Sequence, residues 1–286
     1  MKRFLFLIVA AVAFVVPCSA QRSAAPERTG LIDTDYDYPL YGNVSSIKQS
    51  TYELVDKFGT ESKGAYIGSN TIKFTSYGHV SSASIYFGEG VSETCSYVYN
   101  QQGKITHINH VDNDTGASAG KTVFQYGSNG KWSQRAKYYS SGSLDSKTIY
   151  SYDSSNRLSI ETEYDNYGSL VLKSVYTYGS NGKVSQITCY DGRGALLYKK
   201  KFIYDSYKNL IRFTSLNANG GKEYEETYKY NSNGYMTSST EQDFIYQYKM
   251  TYKYKYDSRG NIIERRSYDS DALIPCQLVV YTITYR

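Results

Sequence analysis

Among 286 residues there is one Trp, and there are only three His, three Met, four Pro and four Cys. So few imidazoles and thiols leave little from which to build a metalloenzyme, and Cys95, Cys189 and Cys276 stand too far apart in sequence for the local spacing that zinc sites use. A strong excess of one charge is also missing: 32 basic against 27 acidic side chains give a formal +5. Neither a nucleic-acid-binding surface nor a metal or cofactor requirement follows from this composition. No apolar run reaches the ~20 residues that a membrane-spanning helix needs. A Gly-Xaa-Ser-Xaa-Gly elbow, a phosphate loop and a dinucleotide fingerprint are all absent from the sequence, so it offers no catalytic constellation to name.

The N-terminus reads as an export signal. Lys2 and Arg3 precede an apolar run from Phe4 to Val16, and small residues at Cys18 and Ala20 mark a cleavage site before Gln21. Residues 1–20 are therefore expected to be removed, with lipidation at Cys18 as the alternative. Residues 21–35, with Pro26 and several Ser and Ala, read as a flexible leader. The expected location is the periplasm, the cell surface or the medium. Without Lys2 and Arg3 the balance falls to 30 against 27, and three cysteines remain, an odd number that cannot all pair within one chain. Free thiols in strands are the expected state, with one disulfide and one free thiol as the alternative.

What the sequence has in abundance is Tyr, 34 of them, and a period. Phe124, Tyr150, Tyr176, Phe202, Tyr228 and Tyr254 follow one another at 26-residue intervals, and Tyr recurs two positions on at Tyr126, Tyr152, Tyr178, Tyr204, Tyr230 and Tyr256. Next comes Gly127, Asp153, Gly179, Asp205, Asn231 or Asp257, then an invariable Ser, and then Gly130, Asn156, Gly182, Lys208, Gly234 or Gly260. Asp and Asn close turns with their own side chains and Gly accepts a positive φ, so each such segment predicts a hairpin turn. At Lys208 the neighbouring Asn209 is expected to take the left-handed position. A second turn lies halfway along each period, as in Tyr164–Leu170 and Tyr190–Leu196, so one period is two strands and two turns. Weaker copies extend upstream: Tyr99–Ile105, Tyr66–Ile72 with Asn70 at the turn, and shortened turns at Tyr77–Val80 and Tyr41–Val44. Leu278–Tyr285 reads as a closing strand, with Val280 in phase with Tyr254. Residues 36–286 thus form a single β-repeat domain, degenerate over 36–120 and regular over 121–286.

The phrase Tyr256-Asp257-Ser258-Arg259-Gly260-Asn261-Ile262, continuing to Tyr268-Asp269, resembles the YD repeat of Rhs proteins and of toxin-complex shells, over roughly residues 97–286. The 26-residue unit is longer than the common one, and no toxin domain follows. The resemblance implies strands wound into a large sheet and contact with glycans or cell surfaces; it does not imply catalysis by the repeats.

The fold expected is therefore all-β: an antiparallel meander of roughly 18 to 20 strands, rolled or spiralling into a large sheet or open barrel, since flat open sheets of more than ~10 strands curl or close. Residues two apart share a face, which puts the two aromatic columns on one side. Gln125, Lys201, Lys229, Lys253 and Lys255, with Glu161 and Glu163, are expected on the solvated other side. Trp132 replaces an aliphatic residue and is expected in the core. His107 and His110, with Asp112 and Asp114, read as a polar hairpin end, because residues three apart on a strand point to opposite faces. The leading function is a non-catalytic binding or scaffolding module, with Tyr126, Tyr152, Tyr178, Tyr204, Tyr230 and Tyr256 as the candidate platform for a glycan or cell-envelope component. An outer-membrane β-barrel is the alternative and an enzyme the third class.

Overall fold

A computed structural model describes residues 40–87, 91–232, 234–246, 248–269 and 274–286. The export signal and the leader lie outside the described residues. The elements are β1 (Val44–Lys57), β2 (Thr60–Phe74), β3 (Val80–Phe87), β4 (Val91–Tyr99), β5 (Ile105–Asp112), β6 (Ser118–Tyr126), β7 (Trp132–Tyr138), β8 (Leu144–Tyr152) and β9 (Leu158–Asp165). They continue as β10 (Leu170–Tyr178), β11 (Val184–Asp191), β12 (Leu196–Tyr204), β13 (Leu210–Asn217), β14 (Lys222–Tyr230), β15 (Met236–Asp243), β16 (Tyr248–Tyr256), β17 (Ile262–Asp269) and β18 (Pro275–Tyr285). Every strand pairs antiparallel with its neighbours in sequence, and β18 returns to pair with β1. The 18-stranded meander therefore closes into a barrel and, among the described residues, leaves no free sheet edge.

The turns follow from their residues. At Asp153, Asp165, Asp191, Asp205 and Asp257 one carboxylate oxygen accepts the backbone N–H groups two and four positions on, at 2.8–2.9 Å. Where Gly127 and Gly179 stand in that place, Asn129 and Asn181 take over and accept from Lys131 and Lys183 at 3.0 Å. The turn ends in a positive φ, at 75° for Gly130 and 60° for Asn156. Lys208 itself adopts it, at 67°, which corrects the assignment to Asn209. Asn209 is buried and bonded to Asp205, so it is not free to swing into that role.

Three further expectations change. Asn70 is no turn residue: it lies inside β2, paired with Gln49 and Ile85. The β-branched residues around it, Ile67, Thr71 and Ile72, outweigh the Asn, and the real hairpin is Phe58-Gly59, both with positive φ, the pattern of a tight two-residue turn. Val280 pairs with Glu264, which pairs with Lys255, and so faces outward; Val279 and Tyr281 take the inward positions because β18 starts at Pro275, one position later than the 26-residue phase set by Tyr248 of β16. Glu161 and Glu163 face inward as well. They pair with Tyr150 and Thr148 on β8, on the same face as the aromatic columns.

Burial identifies that face as the interior. Ile47, Ile72, Ala83, Tyr97, Ile108, Phe124, Val279 and Tyr281 form one buried cluster around the join of β1, β2 and β18, which Trp132 flanks. A smaller one, Ile187, Cys189 and Phe202, serves β11 and β12. The opposite face, read through the ladder pairs, carries Lys201, Thr214 and Glu225 in one row and Ser238, Lys253 and Arg266 in another.

Candidate functional site in the barrel lumen

The six tyrosines Tyr126, Tyr152, Tyr178, Tyr204, Tyr230 and Tyr256 stand half-buried along one rim. Each phenol donates to a backbone carbonyl at the start of the preceding strand: Ile105, Trp132, Leu158, Val184, Leu210 and Met236, at 2.6–3.0 Å. Tyr99 does the same to Val80. Each of these residues also pairs through its backbone with the strand after it, so one residue ties three strands. Desolvation raises the phenol pKa at Tyr126, Tyr152 and Tyr178, and pushes that of Tyr204 up to about 12. The hydroxyls of the candidate platform are thus engaged in joining repeats, and the invariable spacing of this column has a structural cause.

The first aromatic column lies deeper and meets charge. On the strands from β7 to β12, Arg135, Tyr150, Glu161, Tyr176 and Lys200 share the lumen face. Burial raises the Glu161 carboxyl pKa, against the bond it accepts from Tyr176, and lowers that of the Lys200 ammonium. It also drives the Tyr150 phenol up to about 12. From β14 to β17 a second group gathers: Tyr224, Glu226, Tyr228, Glu241, Tyr252 and Arg265. Tyr224 and Tyr228 both donate to Glu226, and Tyr252 donates to Glu241 at 2.5 Å. Burial pushes the Glu226 carboxyl up to about 7, with Tyr224 and Arg265 opposing and Glu241 adding to the rise. Glu225, its sequence neighbour, points outward to Lys222 and Thr214. A shallow groove of about 470 Å³ on that outer face is lined by Thr177, Gln186, Lys201, Arg212 and Glu225, among others.

The lumen carboxylates escape a sequence reading because alternation groups Glu161 with Glu163 without saying which face of the sheet is enclosed, and both face inward rather than to solvent. The signal available was that each sits two residues from the other on a strand directly opposite an aromatic column. All three described cysteines are free. His107 and His110 do point to opposite faces: His107 bonds to Thr106, whereas His110 turns inward and meets Glu93 and Cys95 of β4. Asp112 instead accepts the N–H groups of Asp114 and Thr115 in its own turn.

No family model matches the chain, and no curated protein matches it. Among solved structures it is similar to a porin-like protein from Bacteroides uniformis, at 14% identity and a TM-score of 0.46, covering 84% of this chain and 98% of the other. A porin-like protein from Bacteroides vulgatus aligns at 10% identity and a TM-score of 0.36, over 85% and 98% of the two chains. The TcdB2-TccC3 structure aligns at 13% identity and a TM-score of 0.34, over 75% of this chain and 15% of that one.

Proposed function

We propose that the chain is an exported, non-catalytic barrel of the cell envelope that holds a polar ligand of glycan type against the lumen wall. The supporting observation is the pairing of tyrosine rings with carboxylates on one inward face: Tyr150 and Tyr176 with Glu161, and Tyr224, Tyr228 and Tyr252 with Glu226 and Glu241. Sugars present apolar C–H faces and hydroxyl edges, and a tyrosine supplies an apolar ring with a hydroxyl at its tip, while a carboxylate accepts two or more hydroxyl donors. The YD-like character of the repeat belongs to the same proposal. Its Asp is a turn residue, and its aromatic columns divide the labour between rim and lumen.

The test is a glycan array probed with the purified exported protein, followed by affinity measurements on the best hit. Glu226→Gln and Tyr252→Phe are expected to weaken binding about tenfold or more, the scale of a lost hydrogen bond to a charged partner. The rim change Tyr178→Phe is expected to leave it unaltered. Absence of any hit, or equal affinity in all variants, overturns the reading.

A second reading, an outer-membrane barrel, is favoured by one observation: an even-numbered antiparallel meander that closes on itself, as bacterial membrane barrels do. The outer face weighs the other way. Lys201, Arg212, Lys253, Glu264 and Arg266 stand where lipid-facing residues would be, and a charge at the bilayer midplane costs about 2–4 kcal/mol. Extraction discriminates the readings: recovery in buffer supports a water-facing barrel, and recovery only in detergent supports the membrane one.

A further inference from the structure

We propose that Glu93, Cys95 and His110 form a binding site for a zinc-class divalent transition-metal ion on the lumen wall. Cys95 and His110 are directly opposed across β4 and β5, and Glu93 lies two residues from Cys95 on the same face. Their donor atoms lie within 4.8 Å of one another. The Cys95 Sγ is 3.4 Å from His110 Nδ1 and 3.3 Å from a Glu93 carboxylate oxygen, and that oxygen is 2.5 Å from Nδ1. With metal–ligand bonds of about 2.3 Å to sulfur and 2.0–2.2 Å to nitrogen and oxygen, tetrahedral angles place such donors roughly 3.4–3.6 Å apart. Two edges of the triangle already have that length within a few tenths of an ångström. The third opens by just under 1 Å when the ion replaces the direct contact between imidazole and carboxylate, and a carboxylate on a half-exposed Glu has the freedom to do so.

An independent feature supports the assignment. The other imidazole nitrogen, Nε2, lies 3.0 Å from the hydroxyl of buried Thr122 on β6. A histidine that ligates a metal through one nitrogen is commonly held by a hydrogen bond from the other, which fixes its tautomer and its plane. Thr122 is thus a positioning residue, and the ring is aimed with Nδ1 toward Cys95 before any ion arrives. A soft thiolate and a borderline imidazole beside one hard carboxylate form a mixed set whose sulfur and nitrogen donors suit zinc or cobalt over magnesium or calcium. Three protein ligands leave a fourth position for water on the lumen side. The site is argued from β4–β6 alone and does not depend on the glycan reading.

The experiment is a cobalt(II) chloride titration of the exported protein, read by the thiolate-to-cobalt charge-transfer absorption, followed by displacement with zinc chloride. One equivalent is expected to bind with that absorption and to be displaced by zinc. Cys95→Ser is expected to abolish the absorption and weaken binding by about 100-fold or more, beyond the 10–100-fold that loss of an outer partner costs. Thr122→Val is expected to weaken it about 10-fold with the absorption retained, and Cys276→Ser, at the exposed thiol, to change nothing. If Cys95→Ser does not fold, His110→Ala gives the same reading through the loss of affinity. No thiolate band in the wild-type protein, or a band that survives Cys95→Ser and is lost in Cys276→Ser, overturns the proposal.

Discussion

The seam of the barrel and its regular arc are built from the same kind of antiparallel strand pairing but held by different means. At the seam, Leu40, Ile47, Ile72 and Val279 are 1–2% exposed, and Asn261, fully buried, donates to the Tyr41 carbonyl and the Tyr285 hydroxyl while accepting from the Tyr41 N–H. Arg259 lies over the Tyr285 ring at 3.9 Å, and Tyr285 donates to Asp257. The β1–β2 hairpin folds its tip over the outside of the join: Glu61 binds Arg266 and Tyr268, and Leu54 packs on Tyr268 and Leu278. Along the arc from β7 to β17 the buried aliphatic residues thin out, and phenol-to-carbonyl bonds recur once per repeat. Local repeats need only their neighbours. Joining the first strand to the last is a contact of high sequence separation, whose loop-closure cost is met here by a conventional apolar core.

That contrast is open to attack, most forcefully at the seam. Deleting Leu278–Tyr285 should open the barrel, free the edges of β1 and β17, and abolish the whole cooperative melt rather than shorten it. Survival of a slightly smaller melting protein in calorimetry would mean that the arc stands without closure. Less drastically, Ile47→Ala should cost about 2–5 kcal/mol, as buried Ile truncations do, measured as a shift in the urea midpoint. A smaller effect is expected from pH. The Glu226 carboxyl, near 4.5 when unfolded, is pushed up to about 7 by burial in the folded chain. Its contribution is fully present below pH 4.5 and is lost as pH rises toward 7 and beyond, because the folded state then holds the extra proton. Glu226→Gln should therefore flatten the stability profile between pH 4.5 and 7, and an unchanged slope would place the burial elsewhere. On the rim, Tyr178→Phe should cost about 0.5–1.5 kcal/mol, and Tyr178→Phe combined with Tyr230→Phe should add, since the two tie different strands. The smallest effect, and the opposite sign, is expected at Lys208→Gly. Relief of a left-handed non-glycine residue should stabilise by up to about 1 kcal/mol, read from the melting temperature.

The arc was legible in the sequence because its determinants are local. Each turn announces itself through an Asp or Asn and a Gly within five residues, and strands start at Trp132, Leu158, Val184, Leu210, Met236 and Ile262 where the period places them. The seam was not legible, because nothing near Asn261 in sequence indicates that Tyr41, 220 positions away, is its partner. The tip turn Phe58-Gly59 escaped because Phe carries no turn signal. In the lumen, alternation correctly grouped Glu161 with Glu163 but cannot say which side of a sheet is enclosed. Closure decides that, and closure is a property of the whole chain. Likewise the three donors around Cys95 come from two strands whose pairing, not spacing, brings them together.

The rim tyrosines have a further consequence for how such a barrel changes over time. Since each ring reaches back one strand while its backbone pairs forward with the next, a block of 26 residues carries both halves of its own junction. Duplicating or losing such a block preserves the phenol-to-carbonyl junctions at its borders, so the circumference is free to grow or shrink by two strands at a time while the seam stays as it is. Genes encoding barrels of this kind should differ in length by whole multiples of that block, and insertions of any other size should be confined to the turns.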